Sequence, residues 1–170
     1  QRVLIHGASG AVGSAAVQLA RTMGAEVTGV CSTRNVVLVR SFGATEVLDY
    51  LKDDLLAHRD HYDVVFETVG KLHFKRCLAL VKPGGTIALG SDLPADMLKR
   101  AFVGRGSKPT KVITGTAAGT ADDIMHFSDL WSQRRLQPVI ESTFPLVRIA
   151  EAHARAESWR KVGNVVVNME

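Results

Sequence analysis

The chain has 170 residues, 46% of them apolar and 22% charged, with 21 Lys and Arg against 17 Asp and Glu for a formal charge of +4. That composition describes one ordered domain with a sizeable core and excludes a disordered chain. The basic residues are scattered, no apolar run reaches spanning length, and Cys31 and Cys77 belong to no CxxC pair. Nucleic-acid binding, membrane insertion and a disulfide or cysteine-rich zinc framework are therefore not expected, and the compartment is read as cytoplasmic.

Gln1-Arg2 leads straight into an apolar strand with no initiator Met, which reads as a piece of a longer protein. Val3-Leu4-Ile5 is a short buried strand ending in a glycine cluster. Ala16, Leu19, Ala20 and Met23 form the i, i+3, i+4, i+7 stripe of a helix over Ser14–Met23, closed by Gly24. A second strand is expected over Glu26–Val30, a second helix over Val36–Phe42 closed by Gly43, a third strand over Glu46–Leu48 and a fourth over Asp63–Phe66. Leu72–Leu80 reads as a helix that stops at the turn signal Lys82-Pro83-Gly84-Gly85. A fifth strand follows over Thr86–Leu89, and a sixth over Lys111–Thr114. Residues 92–109 read as a loop. Thr120 and Asp123 suggest a capping box opening a helix with Ile124, Phe127 and Trp131 on one face. Trp131 and Trp159 are taken as packing anchors. The tail reads as a strand at Pro138-Val139-Ile140, a helix over Leu146–Ala156 and a strand over Asn164–Val167. Strands alternating with helices at this spacing predict an α/β fold, a doubly wound parallel sheet of the Rossmann type.

The run Gly7-Ala8-Ser9-Gly10-Ala11-Val12-Gly13 follows a strand and opens a helix. It matches the GxGxxG fingerprint as Ala8-x-Gly10-x-x-Gly13, with Ala at the position that makes the tight turn. Gly10 then admits a pyrophosphate to the backbone, Gly13 allows close helix packing, and the helix N-terminus attracts the anion. Gly13 is followed by Ser14 and not by Lys, which excludes a Walker A loop. The second strand ends Val30-Cys31-Ser32-Thr33-Arg34 without the acidic residue that would bind an adenosine ribose in an NAD site. Ser32 and Thr33 can donate to a 2′-phosphate and Arg34 can pair with it, so the cofactor is read as NADP(H). The alternative is that these residues cap and flank the second helix.

Further residues carry a family resemblance. The glycine run, Ala16-Val17-Gln18-Leu19-Ala20, Phe42-Gly43-Ala44, Val47-Leu48-Asp49-Tyr50, Tyr62–Gly70 and Pro83-Gly84-Gly85-Thr86 together resemble the medium-chain dehydrogenase/reductase superfamily, and most closely its quinone oxidoreductase-like branch. Leu136–Ile140, Phe144-Pro145-Leu146, Glu151-Ala152-His153 and Gly163–Val167 resemble that family's terminal segment. The resemblance implies an NADP(H)-binding Rossmann domain over residues 1–141. It implies a segment over 142–170 that returns to a GroES-like catalytic domain mostly absent from this chain. It places Ser9, Gly10, Ala11, Val12 and Gly13 at the pyrophosphate and Ser32, Thr33, Arg34 and Tyr50 around the 2′-phosphate and adenosine. Val69, Gly70, Leu89 and Gly90 would lie along the cofactor. Asn164, with Ile113 or Thr114, would stand nearer the nicotinamide.

The resemblance further implies hydride transfer from NADPH to a quinone, enone or related carbonyl compound, without zinc. The alternatives are a zinc-dependent alcohol dehydrogenase, an enoyl-reductase domain of a larger synthase, or a cofactor-binding module without catalysis. The edge strand near Lys111 is expected to pair across a homodimer. No catalytic residue is named. The histidines and cysteines show no metal-ligand spacing. Neither Tyr50 nor Tyr62 is followed four residues on by Lys, which excludes a short-chain reductase. Glu67 at the end of the fourth strand is read as a loop cap, with ordering of the cofactor pocket as the alternative. Asp53-Asp54 is read as a solvated pair.

Overall fold

A computed structural model describes residues 1–90, 109–114 and 118–169. The expected loop over 92–109 lies outside these residues except for Pro109. The elements, in order, are β1 (Arg2–His6), α1 (Ala11–Thr22), β2 (Glu26–Cys31), α2 (Val36–Ser41), β3 (Glu46–Asp49), β4 (Tyr62–Glu67), α3 (Phe74–Leu80), β5 (Val81–Leu89), β6 (Lys111–Thr114), α4 (Ala121–Ser132), β7 (Ile140–Pro145), α5 (Ile149–Glu157) and β8 (Asn164–Asn168). Short 3₁₀ turns precede α2 and α5 and lie between β3 and β4.

Strands β1 to β6 form one parallel sheet in the order β3-β2-β1-β4-β5-β6. Successive side chains on a strand point to opposite faces, so β1 sends Leu4 to one core and Ile5 to the other. Leu4, Val30, Tyr62, Val65 and Ile87 pack with Phe74, Cys77 and Leu80 of α3. Ile5, Val27, Cys31 and Val47 pack with Val17 of α1 and Val39 of α2. Both faces are thus covered, which is why these strands are continuous apolar runs and why the sheet is doubly wound.

Some boundaries differ from expectation. Helix α1 begins at Ala11 rather than Ser14, because an apolar stripe marks only the turns that pack on the sheet. Strand β5 begins at Val81, not Thr86. The Lys82–Gly85 turn signal is real but sits inside the strand. Pairing jumps from Tyr62↔Val81 to Val64↔Thr86, so Lys82–Gly85 bulges from the ladder, with Gly84 at φ 81°. The capping box forms as expected: Thr120 Oγ1 accepts from Asp123 N at 3.2 Å, and Asp123 Oδ2 accepts from Thr120 N at 2.9 Å.

The tryptophan anchors do not hold. Trp131 is 63% exposed and Trp159 82%, and Ile124 and Phe127 are exposed too. Helix α4 buries Leu130, and its other large apolar side chains meet no covering element among the described residues. Trp159 stands in a left-handed turn at φ 56°, outside both cores. The aspartate pair is exposed as expected, and each also accepts a backbone bond: Asp53 from Asp49 N at 2.7 Å, and Asp54, capping a 3₁₀ turn, from Leu56 N at 2.9 Å.

The tail is a separate parallel pair, β7 and β8, joined by α5. Glu141 of β7 fixes this unit by accepting from Arg155 Nε at 2.7 Å and from Val162 N at 3.1 Å. Strand β7 runs through the expected 141–142 boundary. The tail adds no strand to the main sheet and meets it at the glycine loop, where Gly163 bridges to Gly10.

Candidate cofactor site

Six parallel strands place all their carboxyl ends on one edge. The strand order turns back between β1 and β4, which opens a crevice there, the position where open α/β sheets bind ligands. Every candidate residue drawn from the sequence lies on this edge or against it.

The glycine loop spans His6 to Ala11. Gly7, at φ 83°, makes the turn out of β1, and Gly7 N and Ala8 N both donate to Val30 O at 3.0 Å. The tight turn expected at Ala8 is therefore one residue earlier, and Ala8 is a fully buried core residue. A methyl on Gly7 would lie 2.3 Å from Val69 Cγ2. A methyl on Gly13 would lie 2.1 Å from Gly7 O, so Gly13 lets α1 close onto the loop. Gly10 differs: its φ is −77°, open to any residue, and a methyl there would meet Gly7 O at an ordinary 3.4 Å. Neither backbone nor packing requires glycine at position 10. Its bareness leaves space over the first turn of α1, where Ala11, Val12 and Gly13 present amides without an intrahelical acceptor. That turn has no side-chain cap and no acidic residue, so its partial positive charge faces the crevice uncompensated. Ser9 is held from two sides: its Oγ accepts from Asn35 Nδ2 at 2.9 Å, and its carbonyl accepts from Gly163 N at 2.8 Å.

At the end of β2, Ser32 is extended, and Thr33 and Arg34 are exposed in the following 3₁₀ turn. No side chain caps that turn. Thr33 Oγ1 donates to Asp49 Oδ2 at 2.5 Å. Thr33 is therefore not a free donor, contrary to the sequence reading. The carboxylate missing from β2 arrives on β3 instead, where Asp49 pairs in register with Cys31. Asp49 is 5% exposed and also accepts from Leu51 N at 3.0 Å. The Thr33 hydroxyl, then Leu51 N and Lys52, hold it below the usual carboxylate range against the opposing effect of burial. Burial, with Asp49's charge added, pushes the Cys31 thiol up to about 11, so Cys31 is an inert packing residue. Arg34 Nη2 donates to Arg160 O at 2.8 Å. Tyr50 is half exposed, its amide donating to Cys31 O at 3.1 Å.

Across the crevice, Glu67 ends β4 and is 1% exposed. Its Oε1 accepts from His6 Nδ1 at 2.8 Å and from Val69 N at 2.9 Å, and its Oε2 accepts from Gly70 N. Burial pushes its pKa up, but the His6 contact and the two amides outweigh burial and hold it below the ordinary value. A carboxylate can only accept, so Nδ1 of His6 carries the proton. Gly90 N, just past the buried Leu89, donates to Glu67 O at 2.7 Å. Asn164 opens β8 next to Gly163, but its Nδ2 donates to Val139 O at 3.1 Å. Ile113 and Thr114 lie at the end of β6. Sequence reasoning missed Asn35, Asp49 and His6. Asp49 could have been found by counting strand-end positions, since parallel pairing puts it level with Cys31. The other two carry no local signal. Among the described residues no group of three or more His, Cys, Asp or Glu could hold a metal ion, and no helix is long and apolar enough to cross a membrane.

The profile of the family described as zinc-binding dehydrogenase matches residues 42–167. A mitochondrial NAD(P)H oxidoreductase of Mus musculus is 31% identical over 99% of this chain and 48% of its own length. A chloroplastic quinone-oxidoreductase of Triphysaria versicolor is 29% identical over 98% of this chain and 52% of its own. The solved quinone oxidoreductase from Coxiella burnetii superposes with a TM-score of 0.85 at 25% identity, over 99% of this chain and 53% of that one. The chain thus spans about half the length of the relatives it matches. It belongs to the zinc-binding dehydrogenase family, as the nucleotide-binding part of a quinone oxidoreductase-like member of the medium-chain dehydrogenase/reductase superfamily.

Proposed function

We propose that this chain is the NADP(H)-binding domain of an oxidoreductase that reduces a quinone, an enone or a related carbonyl compound, and that the reaction needs no zinc. The observation that carries the cofactor reading is Gly10: a glycine with no internal reason to be one, above an uncapped helix N-terminus at the crevice of the sheet. The residues fit a dinucleotide: Ser9 to Gly13 would hold the pyrophosphate, Ser32, Arg34 and Tyr50 the adenosine end, and Val69, Gly70, Leu89, Gly90 and Asn164 the remainder. When bound, the cofactor supplies the hydride. The chain's own residues bind and orient it, which is where positioning lowers a barrier. The segment over 142–170 is proposed to return to a catalytic domain carrying the substrate site, and β6 to pair across a homodimer. A reducing compartment such as the cytoplasm suits the two buried cysteines. The names of the two relatives cited place those proteins in mitochondria and chloroplasts.

Preference for the 2′-phosphate rests on Ser32 and Arg34, since Arg34 makes no ion pair among the described residues and Thr33 is engaged by Asp49. Asp49 supports a second reading, NAD(H), because it brings a carboxylate to the adenosine end. Both of its oxygens already accept, from Thr33 and Leu51, which leaves fewer lone pairs for a ribose and weakens that reading. The test is a titration with NADPH and NADH, repeated with Arg34→Ala. NADPH is expected to bind tighter, with a loss of roughly 10- to 100-fold in the variant, the worth of one charge-assisted contact. Equal binding of NADH by the unmodified chain would sink the NADP reading.

A further inference from the structure

We propose that the buried His6–Glu67 pair is the positioning device for the nicotinamide half of the dinucleotide site; this rests on the cofactor reading above. The two residues end neighbouring strands, β1 and β4, on either side of the crevice. His6 also accepts through its carbonyl from Thr68 Oγ1 at 2.7 Å and Thr68 N at 3.3 Å. Glu67 takes His6 Nδ1 and the amides of Val69 and Gly70 on one carboxylate, and its carbonyl takes Gly90 N. The ends of β1 and β4 are therefore tied through two side chains, and the end of β5 joins them through the backbone carbonyl of Glu67.

Stability alone does not call for this arrangement. A buried hydrogen-bonded pair replaced by apolar groups of the same shape can be nearly neutral or stabilising. What the carboxylate adds is direction, because three donors converging on one group fix the turn at Thr68–Gly70. That turn is the wall on which the glycine loop closes, where a methyl on Gly7 would come 2.3 Å from Val69 and 2.6 Å from Thr68. If the turn shifts, the crevice on the β4 side changes width. The adenosine end, proposed above at Ser32, Arg34 and Tyr50, lies on the β2–β3 side of β1 and shares no hydrogen bond with the pair among the described residues. His6 and Glu67 are thus positioning residues for one half of the site.

The experiment compares binding of NADPH and of 2′,5′-ADP, the adenosine half, to the whole chain and to Glu67→Gln (NADH and ADP where the titration above favours NADH). Glutamine keeps the volume but offers one oxygen, so a donor on His6 or on the turn faces an N–H. NADPH binding should weaken about tenfold or more, and 2′,5′-ADP by less than about twofold. His6→Leu should reproduce the split, and His6→Asn, which keeps a donor near the Nδ1 position, should restore NADPH binding. These two variants carry the comparison if Glu67→Gln fails to fold. Equal loss of both ligands, or no loss of either, overturns the proposal, since a merely structural pair would not separate the halves. Failure of the unmodified chain to bind either ligand overturns the cofactor reading, and the proposal with it.

Discussion

Substitution of Gly10 by Ala separates the demands of the fold from the demands of a ligand. The residue has φ −77° and ψ 177°, a conformation alanine adopts without strain. The added methyl meets Gly7 O at 3.4 Å, an ordinary contact. Restricting the unfolded chain stabilises by about 0.4–1 kcal/mol, and the weaker N-cap preference of alanine costs a few tenths or more. Stability should therefore change by less than about 1 kcal/mol. Binding should not be spared, because the methyl stands over the amides of the first turn of α1. Loss of one charge-assisted hydrogen bond, about 1.5–3 kcal/mol, is roughly a 10- to 150-fold rise in Kd. Gly13→Ala is the control with the opposite signature: its methyl lies 2.1 Å from Gly7 O and 2.7 Å from Gly7 C, backbone atoms that cannot rotate away. It should cost about 1–3 kcal/mol or more through overpacking. Urea unfolding by circular dichroism and NADPH titration by fluorescence read the two effects separately. Undiminished NADPH binding by Gly10→Ala would refute the claim that position 10 is kept bare for a ligand.

Two other predictions concern stability. Asp63 accepts from Lys82 Nζ at 2.6 Å and from Arg2 N at 2.7 Å, contacts that hold its pKa below the ordinary value. A carboxylate depressed in the folded state contributes stability above its unfolded pKa of about 3.9 and loses it as pH falls through the folded value. Asp63→Asn should thus be less stable than the unmodified chain at pH 7, with the gap closing below about pH 4; a urea-midpoint gap constant from pH 7 to pH 3 would contradict this. Thr120→Ala removes the capping box of α4 at a cost of about 1 kcal/mol. Because α4 buries Leu130 and little else, the loss should register locally, as several-fold faster amide exchange in its first turn; unchanged exchange there would contradict the assignment.

The glycine loop and the order of the first six strands and their helices were readable in the sequence, because strand and helix periods and the φ demand of a glycine act over a few residues. Even there the tight turn moved from Ala8 to Gly7, and the Lys82–Gly85 turn proved to be a bulge within a strand. Which side chains meet across the crevice was not readable. His6 and Glu67 are 61 positions apart, and Ser9 is held by Asn35 and by Gly163, contacts that only the parallel register of the sheet and the return of the tail bring about. Thr33 looked like a phosphate donor until β3 placed Asp49 beside it. Trp131 looked like an anchor because apolar spacing marks a face without saying whether anything covers it. The sequence by itself determined where the glycine loop stands, since that depends on local backbone geometry. Only the tertiary structure decided how the crevice beside it is held, since that depends on strand ends that the chain reaches at widely separated points.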